Sequence, residues 1–365
     1  MEKVYIVAAK RTPIGAFGGS LKDISAGELG AVAIKAALEQ SGVKPELIDE
    51  VIVGNVVGAA QGMGIGRQAA IFAGVPESVP AYTLNMVCGS GMKTVMDAVS
   101  HIRSGDASVV VAAGVEVMSQ IPFTVSSAIR DGHKMGNMNL TDLLINDGLT
   151  DVFNQYHMGV TAENVAREVG ISREQQDDYA LASQMKAVAA IEAGKFEQEI
   201  VPVEVKKRKE TIVFDTDEYP KANATLSALQ KLRPAFDREG TVTAGNASGI
   251  NDGASAIVVA SGSAVEQYGL TPIAEVVSYA QSGLDPKVMG LGPVEAVTRA
   301  LDKAELATSD IDVYELNEAF AAQVIAVKRA AKDSKLANKF GVDAFGENPD
   351  EKLNVNAFSH QRDQV

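Results

Sequence analysis

One cysteine stands among 365 residues. A lone thiol excludes an intrachain disulfide framework and fits a reducing compartment, so the cytoplasm is the expected location. Positive charge is scarce too: 33 lysines and arginines face 47 acidic residues, for a formal net charge of −14. A general nucleic-acid binder presents net basic surface, and this balance argues against that class. A small polyanionic ligand stays open, because a local basic cluster can sit on an acidic body. The densest such cluster, "KKRKE" at Lys206 to Glu210, reads as a solvated hairpin edge. No apolar run approaches the roughly 20 residues that span a bilayer, so no membrane association is expected. The N-terminal "MEKVYIVAAKRTP" has too short an apolar segment for a signal peptide and reads as a first strand.

What is present is a globular chain, 46% hydrophobic and 22% charged, long enough for two domains or one large duplicated one. Strand-like runs ("VYIVAA", "EVIVGNVV", "ASVVVAAGVEV") alternate with helical ones. Among the latter, "SREQQDDYALASQMKAVAAIEAG" opens on Ser172 as a cap, with an acidic first turn. The alternation predicts an α/β architecture with largely parallel pairing. A repeat is visible: "ALEQSGVKPELIDEVIVGNVV" resembles "ALDKAELATSDIDVYELNEAF". Leu38, Ile48 and Asp49 answer to Leu301, Ile311 and Asp312 at a constant offset of 263 residues. It continues less rigidly as "TLNMVCGSG" against "KLNVNAFSH". A duplicated α/β half is the physical reading. We expect one half over residues 1–117 and 246–268, an inserted loop domain over 118–245, and the second half over 269–365. "SAIVVAS" is expected to close the first half's sheet. In the first copy 32 residues separate Leu84 from Glu116, whereas 12 remain after Leu353. By its own symmetry the second half is expected to stop one βαβ unit short.

Cys88, in "LNMVCGSGMKTV", sits where a strand turns into a helix. Gly89, Ser90 and Gly91 permit a sharp turn, and a helix N-terminus favours thiolate and offers N–H groups to an oxyanion. The alternative is a buried, inert core thiol. A nucleophile needs a base, and there are four histidines. His101 lies 13 residues along the same helix, about 20 Å away, and is excluded. His133 reads as a surface loop residue and His360 as an exposed tail residue. His157, in "QYHMGVTAEN", precedes a helix expected to be capped by Thr161; a structural and a pocket role both stay open. In "YELNEAFAAQ", Asn317 and Glu318 are expected at the end of a buried strand, where open α/β sheets meet ligands. There Asn317 suits either an oxyanion donor or a helix N-cap. "AGNASGIND", Ala244 to Asp252, is a small, polar loop suited to close ligand approach. A dinucleotide-binding reading of "VIVGNVVGAAQGMGIGRQAAIFAG" is weak: Gly62, Gly64 and Gly66 miss the G-x-G-x-x-G spacing, and no acidic residue ends the next strand.

Four motifs in order, "NMVCGSGMKTV", "YHMGVTAENVA", "KLRPAFDREGTVTAGNASGINDGASA" and "YELNEAFAAQ", make the chain resemble the thiolase family. The similarity is greatest to its biosynthetic acetyl-CoA acetyltransferases and runs from Val4 to Asn356. The resemblance implies a five-layered α-β-α-β-α sandwich of two duplicated halves with an inserted loop domain. It implies Claisen condensation of two acetyl-CoA to acetoacetyl-CoA plus coenzyme A, or the reverse thiolysis, through an acyl-Cys88 intermediate. No metal and no cofactor beyond the coenzyme A thioester substrates is implied, and relatives are dimers or tetramers. Asn317 falls at the position that holds a water in an oxyanion hole. His157 and Met158 fall in the acyl pocket, in the "HMG" form typical of the short-chain branch. Ser248 matches a residue touching the pantetheine arm, with Ala244 and Phe236 nearby. Lys221 stands where relatives often carry an arginine near the coenzyme's phosphates. After "NVN", relatives continue with a Gly-His-Pro motif and a second cysteine, neither of which this sequence contains. The role of that histidine is not carried over to His360. On that ground turnover is expected to be impaired; the alternative is a non-catalytic coenzyme A-binding or scaffold paralogue.

Overall fold

A computed structural model describes residues 2–341 and the backbone of the two-residue strand Leu353–Asn354. These residues form two compact units, each assembled from separate stretches of chain. The first comprises Met1–Leu149, Gln198–Tyr219 and Ile250–Val277; the second comprises Thr150–Glu197, Pro220–Gly249 and the described part of Ser278–Val365.

The first unit is built on a seven-stranded mixed sheet. Its strands include β1 (Val4–Arg11), β2 (Gly15–Ala16), β3 (Glu50–Gly54), β4 (Ala81–Leu84) and β5 (Val109–Val117). The order runs Ala274–Glu275, β1, Asn251–Ser261, β5, β3, β4, with β2 beside Asn251–Ser261. β5 reads "VVVAAGVEV" without polar alternation because both its faces are covered. Val109, Val111, Ala113 and Val115 join the core under α1 (Ala26–Ser41) and α2 (Ile65–Phe72). Val110 and Ala112 are buried on the opposite face. There α3 (Ser90–Ser104) packs against β5 and β3.

Two expectations about this sheet are corrected. Pairing is parallel between β3 and β4 and between β3 and β5, but Asn251–Ser261 runs antiparallel to both β1 and β5. The segment containing "SAIVVAS" therefore lies in the middle of the sheet and does not close it. The long excursion between β5 and Asn251 is not a helical crossover, so nothing obliges the chain to return parallel.

Ion pairs tie the end of β1 to the segment 198–219 of the same unit. Arg11 grips Asp217 with two nitrogens at 2.8 and 2.9 Å and Glu199 with a third at 2.7 Å. The "KKRKE" cluster forms the tip of a hairpin between Val203–Lys206 and Thr211–Phe214, closed by the Lys207 N–H on the Glu210 carbonyl. It is exposed, as a solvated edge should be.

The second unit is mainly helical among the described residues. Val165 and Ala166 of α4 (Met158–Val169) share a core with Leu291, Val294, Ala322, Ala326, Val327 and Ala330. α5 (Arg173–Glu192) begins with the expected Ser172 cap, reciprocated by Gln175. Unusually, the residues α5 buries include Gln176 and Asp177. The strand Tyr314–Glu315 pairs in parallel with Leu353–Asn354, as β3 pairs with β4 in the first unit.

The sequence repeat is thus structural. The single 3-10 turns Pro45–Leu47 and Thr308–Asp310 stand at the same 263-residue offset, between a preceding helix and a following strand in each copy. The expected loss of a final βαβ unit, and His360, concern the chain after Asn354 and lie outside the described residues. Among the described residues no helix is long and apolar enough to cross a membrane.

One close approach in the first unit fixes where α3 begins. A Cβ added at Gly54, the last residue of β3, would lie 2.7 Å from the carbonyl carbon of Ser90 and 2.9 Å from the Gly91 nitrogen. The first turn of α3 therefore rests directly on the β3 backbone. Gly54→Ala is expected to destabilise the protein by about 1–3 kcal/mol through overpacking, measured by urea denaturation. Wild-type stability would show that α3 is not seated there.

Candidate active site

β4 ends at Leu84 and α3 begins at Ser90, leaving five residues to reverse the chain. Val87 takes a left-handed backbone, φ +48°, immediately before the cysteine. Cys88 then stands at the mouth of α3, ahead of Gly89 at the N-cap. It is exposed, which removes the reading of an inert core thiol. Its electrostatics differ from expectation. Burial of the sulfur's surroundings pushes the thiol up from its ordinary value, and its own backbone N–H only partly opposes this. The helix end does not by itself make a thiolate. The thiol keeps its proton at neutral pH and must lose it when it attacks.

The same unit holds a half-buried carboxylate at the end of β5. Glu116 accepts the Val56 and Val57 N–H groups and the Asn55 amide. Asn55, itself buried, also bonds the Val115 carbonyl. Burial raises the Glu116 carboxyl. These bonds fix the loop that leaves β3.

The second unit gathers most of the other expected residues. His157 is the N-cap of α4: its Nδ1 accepts the Gly159 N–H at 3.0 Å. Thr161, the expected cap, lies inside the helix and donates its hydroxyl to the Met158 carbonyl. The helix starts four residues earlier than expected because an imidazole replaces the usual hydroxyl or carboxylate acceptor. Since Nδ1 accepts, the neutral ring carries its proton on Nε2 and presents an N–H donor. Burial lowers the ring from its ordinary value, which keeps it neutral. Its plane stacks on Phe236, with centroids 4.5 Å apart. A Cβ on Gly159 would strike that phenyl ring at 2.2 Å, so the stack requires glycine there. Met158 follows as the first residue of α4 and is half-buried.

Phe236 in turn meets Phe320 edge-on at 6.3 Å. Phe320 bridges to Ala247 through the backbone, the Ser248 N–H bonds the Ala319 carbonyl, and the Ala321 N–H bonds the Asn246 carbonyl. The loop of Ala244 and Ser248 is thereby stitched to the turn carrying Asn317. Ala244, Ser248 and Asn317 are all exposed. Asn317 does not end a buried strand. Tyr314–Glu315 is short and partly exposed, and Asn317 sits in the turn beyond it. Nor is it a helix cap, since Phe320 holds that place for Ala321–Lys332. Lys221 is exposed and bonds α5 through its backbone N–H and the Gln184 side chain. Cys88 belongs to the first unit and these residues to the second.

α5 supplies supports that the sequence reading missed. Tyr179 and Ser183 donate to the two oxygens of Glu318 at 2.6 and 2.7 Å. Asp177 accepts the Asn246 amide at 2.9 Å while paired with Arg173. Burial pushes both the Glu318 carboxyl and the Tyr179 phenol up, the latter further because of the adjacent carboxylate. From α4, buried Glu163 accepts the Thr241 and Val242 N–H groups. The legible signal was spacing: Gln176, Tyr179 and Ser183 stand at i, i+3 and i+7 on one helical stripe where apolar residues are usual. Among the described residues no cluster of histidine, cysteine and carboxylate could hold a metal ion.

Two measurements check these electrostatics. Alkylation of Cys88 by iodoacetamide should titrate with a midpoint above the usual thiol value of about 8.5; a midpoint below 8 would contradict the burial effect. For His157 the folded value lies below the unfolded one, so the unfolded chain binds more protons just below pH ~6.5. Its stabilising contribution is complete above that value and is lost as pH falls towards the folded value. Asn caps without titrating, so His157→Asn should flatten the decline of Tm between pH 7 and 5; an unchanged slope would refute the cap.

Comparisons with known proteins agree with this architecture. The thiolase N-terminal domain model matches residues 4–263 and the thiolase C-terminal domain model matches residues 270–358. The chain is 57% identical over 328 residues to an acetyl-CoA acetyltransferase of Cupriavidus necator, covering 90% of this chain and 83% of that protein. It is 52% identical over 342 residues to an acetyl-CoA acetyltransferase of Escherichia coli, covering 93% and 87%. Among solved structures, human mitochondrial 3-ketoacyl-CoA thiolase superposes with a TM-score of 0.87 at 44% identity, covering 94% of this chain and 88% of the other. The acetyl-CoA acetyltransferase of Bacillus anthracis gives 0.88 at 40% identity, covering 96% and 89%. An α/β chain matched by both domain models along nearly its whole length, with its cysteine exposed on a strand-to-helix turn, belongs to the thiolase family.

Proposed function

We propose that this thiolase-type acyltransferase uses acetyl-CoA, joining two molecules into acetoacetyl-CoA and free coenzyme A, or running the reverse thiolysis. The observation that carries the reading is the exposed thiol of Cys88 on a left-handed turn at a helix mouth. In the first half-reaction the Cys88 sulfur attacks the thioester carbonyl. The carbon–sulfur bond to coenzyme A breaks, and the proton lost by Cys88 leaves with the coenzyme A thiol. In the second, a proton leaves the methyl carbon of another acetyl-CoA. The enolate carbon bonds to the acyl carbon, and the Cys88 sulfur departs. Both half-reactions develop negative charge on a carbonyl oxygen, and donors aimed at such an oxygen are worth roughly 10²–10³-fold each.

Family resemblance assigns Asn317 to one such donor function, through a water, and its side chain is exposed. His157 offers its Nε2–H to a thioester carbonyl, and its role here is donation, since Nδ1 is already engaged. Met158 and Phe236 line the acyl group in this reading, Ser248 and Ala244 follow the pantetheine arm, and Lys221 supplies charge to the phosphates. One human relative of the thiolase family has been solved with coenzyme A bound. The halves 1–117 with 246–268 and 269–365, and the insertion 118–245, are the proposed domains. No metal or further cofactor enters this scheme. A single free nucleophilic thiol suits a reducing compartment, and the cytoplasm is the proposed location.

A second copy of the chain is the proposed partner. β4 is an edge strand with partly exposed residues, followed by exposed Met86, Val87 and Met92. Unpaired strand edges bordered by apolar side chains invite pairing. A monomer by light scattering at micromolar concentration would overturn this.

Intact mass after incubation with acetyl-CoA should show one acetyl adduct, lost in Cys88→Ser. Absence of an adduct on folded wild-type protein would sink the nucleophile assignment. Asn317→Ala should lower thiolysis of acetoacetyl-CoA by about 10²-fold while leaving the adduct. Thiolysis by the 365-residue chain also tests the expectation of impaired turnover, which concerns residues outside the described ones. A rate within tenfold of the Cupriavidus necator or Escherichia coli relative would refute it.

A further inference from the structure

Val87 is the one β-branched residue with positive φ among the described residues; the other non-glycine cases are Ala60, Gln155 and Glu305. A branched side chain in that region is crowded against its own backbone and stays there only when neighbours hold it. Two side chains do so. Asn85 accepts the Val87 N–H at 2.8 Å, while its amide donates to the Val56 carbonyl at 3.0 Å. Ser90 accepts the Met86 N–H at 2.8 Å and donates its hydroxyl to the Val87 carbonyl at 2.6 Å. Both Ser90 bonds span Cys88, tying the backbone before the thiol to the helix after it. The Ser90 N–H bonds the same Val87 carbonyl at 3.0 Å, and the Gly89 N–H bonds the Met86 carbonyl at 3.1 Å.

The clamp is anchored on both sides. Ser90 is buried, and its backbone rests on Gly54 of β3. Gly114 of β5 leaves room for Gly91, whose Cα would lie 3.3 Å from an added Cβ. Asn85 ties to Val56 in the loop that Glu116 fixes. The Ser90 hydroxyl gives its one proton to the Val87 carbonyl, within the turn, so it has no proton to offer a substrate.

We propose that Ser90 is a positioning residue for the thiol: its hydroxyl holds Val87 in the left-handed conformation and so sets where the Cys88 sulfur points. This rests on the reading of Cys88 as the acylated nucleophile. Glycine takes a left-handed backbone without crowding. If Ser90 acts through Val87, removing the crowding should compensate for removing the hydroxyl.

The test compares wild type, Ser90→Ala and the double variant Val87→Gly/Ser90→Ala. The readout is the rate at which Cys88 gains an acetyl group from acetyl-CoA, followed by quenched intact mass, with circular dichroism to confirm folding. Ser90→Ala should acetylate at least tenfold more slowly, and the double variant at least fivefold faster than Ser90→Ala. A folded Ser90→Ala with the wild-type rate overturns the proposal, as does a double variant no faster than the single. A double variant that folds where Ser90→Ala does not supports the clamp; failure of both to fold overturns it. If wild type gains no acetyl group, the functional reading fails on its own, and iodoacetamide alkylation of Cys88 carries the test. There Ser90→Ala should shift the rate at least fivefold and the double variant should move it back. No shift overturns the proposal.

Discussion

The first turn of α3 rests on bare backbone, and the turn that carries Cys88 is built out from that contact. Because Gly54 has no side chain, Ser90 and Gly91 come within touching distance of β3. Close backbone approach fixes the helix mouth more firmly than side-chain packing would, since neither partner has rotamers to relax. From that seat the constraint runs outward: Ser90 closes the turn, Val87 is held left-handed, and the thiol is carried to the surface. Beneath the turn, β3 and β5 are buried strands whose close packing leaves little room to relieve it.

In the second unit a polar helix face plays the comparable part. α5 turns buried Asp177 and half-buried Tyr179 and Ser183 to its neighbours, and these hold two loops at once. Asp177 fixes Asn246, and Tyr179 with Ser183 fixes Glu318. Apolar packing would have filled the same space without specifying where either loop sits. Hydrogen-bonded carboxylates are directional, and satisfying them buried requires one arrangement of both loops.

Much of this was legible in the residues. Glycines around Cys88, following an apolar run, mark a turn into a helix, and the constant repeat offset marks a duplicated half, in which the structure places a 3-10 turn in each copy. What escaped reading has physical causes. The central, antiparallel place of Asn251–Ser261 depends on the path of a long polar excursion, which leaves no local pattern. The cap of α4 was misplaced because imidazole is an uncommon acceptor beside a better-known Thr161. The support of Glu318 comes from residues 135 and 139 positions away, and no sequence window spans that. The thiol's proton affinity was misjudged because a helix end is visible in sequence while desolvation is not.

The repeat also has a consequence for how the two copies diverged. At the 263-residue offset, Gly54 answers to Asn317 and Asn55 to Glu318. The second position does one task in both copies: its side chain, buried in Asn55 and half-buried in Glu318, ties the departing loop to its surroundings. The first position split. In one copy it lost its side chain to become a seat for a helix, and in the other it carries an exposed amide. One strand end therefore gives backbone to a helix, and the other gives a polar side chain to solvent.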